Sequence, residues 1–255
     1  MIRRLSVIAA LLVAFYISAT SAFAGNATYN SSVLADSPIA FWTFDETTGT
    51  TANDVSGTAQ NGIYENCTLG ATSAFPNLGT AVTFNGTSSR MRAPFDASFN
   101  LGTGDFSVEL WYRTTVGTRG DMFNFKSAID FGIFANDAAS GSLRGWHNGF
   151  LPGPTAAGAV PINAWHHVVY VRQAGVISLY IDGAFHSSQA NTQSMSANTD
   201  IIVGANINAI WFTGQIDEVA YYGTALSAGR VSAHYAAAQA TNPNAPARAF
   251  SSKRI

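Results

Sequence analysis

From Ile39 onward the chain carries short apolar or alternating runs, roughly every 8 to 12 residues, each closed by a cluster of Gly, Asn, Asp or Ser. Runs this short, alternating with period two, fit strands and not helices, and we count about a dozen of them. In Phe106-Ser107-Val108-Glu109-Leu110-Trp111-Tyr112-Arg113, residues Phe106, Val108, Leu110 and Tyr112 share one face of the pleat. That face is expected to be core and the opposite one partly wet. His166 to Asp182 reads as a hairpin turning at Gln173-Ala174-Gly175, with Asp182-Gly183 as the next tight turn. Asn85-Gly86 is expected to turn the chain in the same way after Ala81-Val82-Thr83-Phe84, since both dipeptides tolerate positive φ. No internal repeat is visible.

Helical periodicity enters only at Leu226-Ser227-Ala228-Gly229-Arg230-Val231. Ser227 is a good N-cap, and Val231 and Tyr235 lie four apart, which predicts one short helix over about Ala228 to Ala238. The first 24 residues combine Arg3 and Arg4, an apolar run from Leu5 to Ile17, and the close Ala22-Phe23-Ala24. This is the pattern of a secretory signal peptide cleaved after Ala24, and its apolar run is shorter than the roughly 20 residues that span a bilayer. Secretion, to the periplasm or the extracellular space, is therefore expected, with no membrane span after removal. Residues 25–32 are polar and aperiodic and read as a flexible leader, 33–238 as one domain, and 239–255, with Pro243 and Pro246, as a disordered tail.

The 255 residues leave 231 after cleavage, ordinary for one β-sandwich. Cys67 is the only cysteine, so no internal disulfide supports the fold, and burial is the commoner fate of such a thiol. Loss of Arg3 and Arg4 takes Lys+Arg from 13 to 11 against 15 Asp+Glu, a balance of −4 that offers nothing to nucleic acid. Charged residues at 11% against aromatics at 12% describe the neutral, turn-rich surface of an extracellular β protein. Oligomeric state is not legible.

Five blocks follow one another in a familiar order: Ile39-Ala40-Phe41-Trp42-Thr43-Phe44-Asp45-Glu46 with Asn53-Asp54-Val55-Ser56-Gly57, then Ala81 to Gly86, then Phe106 to Trp111. Trp165-His166-His167-Val168 with Tyr180-Ile181-Asp182-Gly183 is the fourth, and Phe212-Thr213-Gly214-Gln215-Ile216-Asp217-Glu218-Val219 the fifth. Together they resemble a laminin-G-like module of the concanavalin A-like lectin and glucanase superfamily, of the kind common in exported bacterial proteins, over about Val33 to Tyr235. The resemblance implies an all-β fold, an antiparallel two-sheet jelly-roll sandwich, here with one short C-terminal helix. Pentraxin-like and animal laminin-G relatives usually carry a disulfide, from which this chain departs.

The resemblance also implies a calcium ion near the chain start and the last strands. Calcium takes six to eight oxygens from carboxylates, turn carbonyls and water. Matching positions are Asp217, Asp54 and backbone oxygens near Asp45 and Gly57. The plainer reading is that Asp217 and Glu218 bond turns or face solvent. Sugar binding needs exposed aromatics flanked by polar groups, and two expected loops offer them: Arg144-Gly145-Trp146-His147-Asn148 and Asn206 to Phe212. Candidates are Trp146, Trp211, Arg144 and His147, while Trp42, Trp111 and Trp165 sit in strand blocks and read as core. His166 and His167 read as structural. Glucanase relatives carry Glu-x-Asp-x-x-Glu on one strand, whereas none of Glu46, Glu65, Glu109 and Glu218 has a carboxylate two or four residues along its strand. No Gly-x-Ser-x-Gly elbow is present. Sequons at Asn26, Asn30, Asn66 and Asn85 matter only in a glycosylating host. The expectation is a non-catalytic module recognising a glycan or an extracellular protein, with a structural or adhesive subunit, and then a glycoside hydrolase, as alternatives.

Overall fold

The computed structural model describes residues 27–125, 131–147, 149, 152, 155–195 and 199–240. The expected signal peptide 1–24 and most of the expected tail, 241–255, lie outside the described residues. In chain order the strands are β1 (Ala40–Trp42), β2 (Thr51–Ala52), β3 (Gly62–Glu65), β4 (Thr68–Thr72), β5 (Thr80–Asn85), β6 (Arg90–Ala93), β7 (Phe106–Thr114) and β8 (Gly120–Phe125). There follow β9 (Phe131–Ala135), β10 (Leu143–His147), β11 (His166–Gln173), β12 (Val176–Ile181), β13 (Ala184–Ala190), β14 (Ile201–Val203) and β15 (Thr213–Tyr222). Helices α1 (Ala27–Leu34) and α2 (Ala228–Gln239) flank them.

All pairings are antiparallel. The first sheet runs β13-β12-β11-β7-β15-β5-β4, with β1 also on β15, and the second runs β10-β9-β8-β14-β6-β3-β2. Alternation sets the layers: Phe106, Val108, Leu110 and Tyr112 of β7 enter the core between the sheets, where Phe123, Phe131, Ile133, Ile201, Ile216, Val219 and Tyr221 join them. The two-sheet sandwich and short C-terminal helix expected from the sequence are present. Ser227 caps α2 as expected, its hydroxyl accepting from Arg230 N at 3.2 Å.

Two-residue turns close both expected hairpin corners, with φ of 49° and 76° at Ala174-Gly175 and 51° and 77° at Asp182-Gly183. At Asn85-Gly86 the outcome differs. The chain leaves β5 in the first sheet and enters β6 in the second, so the turn is a crossing between layers. Asn85 Oδ1 holds it by accepting from the backbone N–H of Thr87, Ser88 and Ser89.

Two expectations are corrected. Within the expected leader 25–32, the described residues from Ala27 onward are not flexible chain, because Ala27–Leu34 is helical and Tyr29 and Val33 have no exposure. They pack with Phe41, Trp111, Tyr222, Val231 and Ala238 in a second apolar cluster on the outer side of the first sheet. The outer face of β7 is likewise not wet through most of its length: Ser107, Glu109 and Trp111 are buried beneath that cover. Neighbouring residues hid this, since α1 has no strong apolar stripe and its two anchors, four apart, lie in a polar run.

Removing an anchor tests the correction. Tyr29→Ala is expected to cost about 3 kcal/mol in denaturant unfolding, as for a buried aromatic. A free leader predicts an unchanged midpoint.

Candidate functional site

Outside the core, three polar constellations stand out. The first is centred on Glu109, which β7 directs outward under the helices with no exposure. Its carboxylate accepts from Tyr222 Oη at 2.5 Å and faces His234 Nδ1 at 3.0 Å, with His167 Nε2 at 3.4 Å. His234 Nε2 lies 3.0 Å from Asp36, which Arg230 Nε also grips at 2.8 Å. Burial works against both charges, but His234 and then His167 hold the Glu109 carboxyl well below the ordinary range, and Glu109 and then Asp36 raise His234. His167 stacks on Trp111 with ring centroids 5.0 Å apart, and Tyr235 of α2 stacks on the same indole at 5.6 Å. The sequence reading gave Glu109, His234, Asp36 and Arg230 no role, since they come together only when α1 and α2 cross the sheet.

The second lies at a bulge in β15. Asp217 pairs with Trp111 and Ala220 with Glu109, so β15 carries one residue more than β7, and Glu218 takes a left-handed φ of 52°. Ile216 and Val219 both enter the core, which turns the adjacent Asp217 and Glu218 side chains out together. Both are buried. Ser73 Oγ donates to Asp217 Oδ2, while Asp217 Oδ1 and both Glu218 oxygens have no hydrogen-bond partner among the described residues. Burial pushes both carboxyls well above their usual range, and the charge of Asp45 adds to this. Asp45 accepts from Thr80 N at 2.9 Å and lines a small recess with Thr43, Glu46, Asn53 and Val55.

Asp217 and Asp45 of the expected calcium set are therefore brought together, with Glu218 added. Asp54 is not free to join them. Its carboxylate accepts from Phe41 N, Ser56 N, Ser56 Oγ, Thr58 Oγ1 and Gln60 N, which hold its pKa low despite burial and fold the 54–60 turn. Gly57 sits in that turn with φ 94° and open space at its α-carbon. The orphaned oxygens fit a hard cation. Among the described residues no three or more His, Cys, Asp or Glu side chains are gathered as a metal site, so carbonyls and water would complete the shell.

The third occupies the outer side of the second sheet. Arg144 to His147 belong to the edge strand β10 and not to a loop, while Asn148 lies outside the described residues. Strand alternation points Arg144 and Trp146 outward, half-buried, and turns His147 inward to no exposure, against Phe106 and Phe131. His147 is thereby removed from the ligand-facing set, and burial, then the Arg172 charge, lower it to about 4. The Asn206–Trp211 segment is a loop, closed by a bridge between Ala205 and Trp211, with Trp211 half-buried. Asn206 donates to Asp121, Asp121 pairs with Arg119 at 2.9 Å, Arg119 with Asp137 at 2.9 Å, and Asp137 with Arg144 at 2.5 Å. This chain ties the Trp211 loop to β10, and Arg119 also lies 4.2 Å over the Phe134 ring. Nothing local marks Arg119, Asp121 and Asp137 as a group, because the links from Arg119 to Asp137 and from Asp121 to Asn206 join separate segments.

A family model of laminin-G type, described as the concanavalin A-like lectin/glucanases superfamily, matches residues 85–232. The chain belongs to this superfamily. No curated protein sequence matches it. Among solved structures it is similar to the binding domain of Paraclostridial Mosquitocidal Protein 1, with TM-score 0.62 and 17% identity over 79% of this chain and 52% of that one. It is also similar to domain 4 of AbnA, an extracellular arabinanase from Geobacillus stearothermophilus, in complex with arabinotriose, with TM-score 0.58, 22% identity, and coverage of 78% and 98%. A third is the binding domain of botulinum neurotoxin DC in complex with rat synaptotagmin II, with TM-score 0.61, 14% identity, and coverage of 82% and 53%. The chain thus spans about half the length of the first and third. At these identities the likeness is one of fold. No helix among the described residues is long and apolar enough to cross a membrane.

Two of the buried histidines, His234 and His147, should shift in opposite directions. Imidazole NMR is expected to show His234 still protonated above the ordinary value near 6.5, and His147 neutral down to about pH 4. Glu109→Gln should return His234 towards or below that ordinary value and cost about 3 kcal/mol or more. An unmoved His234 titration would remove Glu109 as its partner.

Proposed function

We propose that the chain is a non-catalytic extracellular binding module that recognises a glycan through the outer side of its second sheet, with a structural calcium ion at Asp217 and Glu218. The observation that carries the reading is the ion-pair chain from Asn206 to Arg144, which braces a polar surface next to two half-buried tryptophans, Trp146 and Trp211. Half-exposed indoles beside charged and amide groups are what sugar faces and hydroxyls require. The arabinotriose named with the arabinanase domain supports a glycan, and the synaptotagmin named with the neurotoxin domain keeps a protein partner as the next case. The signal-like start, Arg3 to Ala24, supports export. Against catalysis stand the commitment of Glu65 to Arg90 and Arg92, of Asp121 and Asp137 to Arg119 and of Glu109 to buried histidines, and the burial without exposure of the uncommitted Asp217 and Glu218.

A second reading, an adhesive subunit, is favoured by β13, an edge strand of the first sheet exposed along nearly its whole length, with Phe185 58% exposed. Glycan arrays with native mass spectrometry separate the two. Trp146→Ala is expected to weaken the array hits about tenfold, as for an aromatic anchor. Assemblies without saccharide hits would replace the glycan reading with the adhesive one.

The calcium site follows from charge. Asp217 and Glu218 would hold the ion through the oxygens left without donors, and the ion would supply the positive charge missing there. Carboxyls whose pKa is raised by folding stabilise the fold only when protonated, so without a cation stability falls as pH rises above the unfolded value near 4. At pH 7.5 calcium is expected to raise Tm, by the equivalent of about 2.7 kcal/mol at a hundredfold excess over Kd. Asp217→Asn should raise the calcium-free Tm and abolish the response. Equal calcium responses in both proteins would exclude Asp217.

A further inference from the structure

One cross-strand row on the outer face of the first sheet escapes the helical cover. Thr68 pairs with Thr83, Thr83 with Gln215, and Gln215 with Arg113, one residue from each of β4, β5, β15 and β7. Four strands at the usual spacing make the row about 14 Å long. Two residues back along β7, Trp111 is 1% exposed beneath Phe75 and Tyr235, whereas Arg113 is half-exposed. Thr83, Gln215 and Arg113 of the row form the floor of an open groove of about 350 Å³ whose walls add Thr115 and Thr213, and no carboxylate lines it.

Arg113 differs from the other arginines of the described residues. Arg90 and Arg92 pair with Glu65, Arg119 and Arg144 with Asp137, Arg230 with Asp36, and Arg172 donates to the carbonyls of Gly102, Gly104 and Gln193. Arg113 has no carboxylate or carbonyl partner there, and its Nε is buried without a hydrogen bond. A planar, partly desolvated guanidinium is a bidentate receptor for a carboxylate. Hydroxyl and amide side chains such as Thr83, Thr115 and Gln215 both donate and accept, which suits a polyhydroxylated ligand.

We infer that this row is a subsite for an acidic saccharide, with Arg113 pairing a uronate carboxylate and Thr83, Gln215 and Thr115 bonding its hydroxyls. The inference rests on the glycan-binding reading and goes beyond it. It adds a second site, for a charged sugar, on the first sheet and away from Trp146.

The test is calorimetric titration of the full chain with tetramers of galacturonate, glucuronate and mannuronate, beside neutral and sulfated tetramers of matched length. At least one oligouronate is expected to bind, about tenfold more tightly than its neutral counterpart. Arg113→Gln should weaken it about tenfold, and Arg113→Lys should restore only part of the loss. Because Arg113 is half-exposed, Tm should stay the same in both Arg113 variants. Binding that survives Arg113→Gln, a preference for sulfated over uronate tetramers, or no oligouronate binding at all would overturn the inference. If neutral glycans alone bind and depend on Trp146, the inference fails and the glycan-binding reading stands. If no saccharide of any class binds, both fail.

Discussion

A carboxylate without exposure on the outside of a sheet dictates most of what surrounds it. Left unpaired, Glu109 would cost several kcal/mol, so its burial is tolerated only with its partners in place. Those partners come from four elements: Tyr222 from β15, His167 from β11, His234 from α2 and, through His234 and Arg230, Asp36 just after α1. The apolar contacts of Tyr29, Val33, Val231 and Ala238 hold the helices to the sheet. They are not directional, whereas the hydrogen bonds are. Glu109 and Asp36 therefore set the register in which the helices dock.

The outer residues of β7 record how far that cover reaches. Ser107 is closed by Leu226 N and Thr224 O, Glu109 by histidines, Trp111 by stacked rings, and Arg113 is open. The bulge in β15 falls between the rows of Glu109 and Trp111. A left-handed Glu218 is strained, at a cost on the order of 1 kcal/mol or more, and such strain persists where surrounding structure enforces it. Here the enforcement is visible: Ile216 and Val219 both need the core, and the extra residue between them has to turn outward. The Glu109 network, the acidic pair and the open groove are thus successive stations along one stretch of neighbouring strands.

Much of this was legible in the chain. Alternation in Phe106 to Tyr112 gave the core face of β7, the Ala174-Gly175 and Asp182-Gly183 dipeptides gave their turns, and Ser227 marked the start of α2. What escaped was long-range. Nothing local tells that Glu109 meets His234, 125 residues on, or that Tyr29 lies beneath α2. His147 illustrates a different failure: Gly, Asn and polar neighbours suggested a loop, but strand pairing with β9 made it the inward member of an alternating pair. One missed feature did leave a trace. Two adjacent acids between Ile216 and Val219 break the period of two, as a bulge must.

The charges beneath the helices do not balance evenly. Around Glu109 and Asp36 stand Arg230 and His234, the latter raised above its ordinary value by its two carboxylate neighbours against the effect of burial. Around Asp45, Asp217 and Glu218 no basic side chain is paired to the orphaned oxygens among the described residues, and the nearest donor is the neutral hydroxyl of Ser73. Buried acids so placed lower their energy by keeping protons, at a growing cost as pH rises. Cys67 cannot supply the stability by other means, since its thiol is bonded to the Arg90 carbonyl and burial pushes it up to about 12, far from the thiolate that forms disulfides. The half of the layer that holds Glu109 is complete in protein alone, whereas the half at the bulge keeps three buried carboxylate oxygens without a hydrogen-bond partner among the described residues.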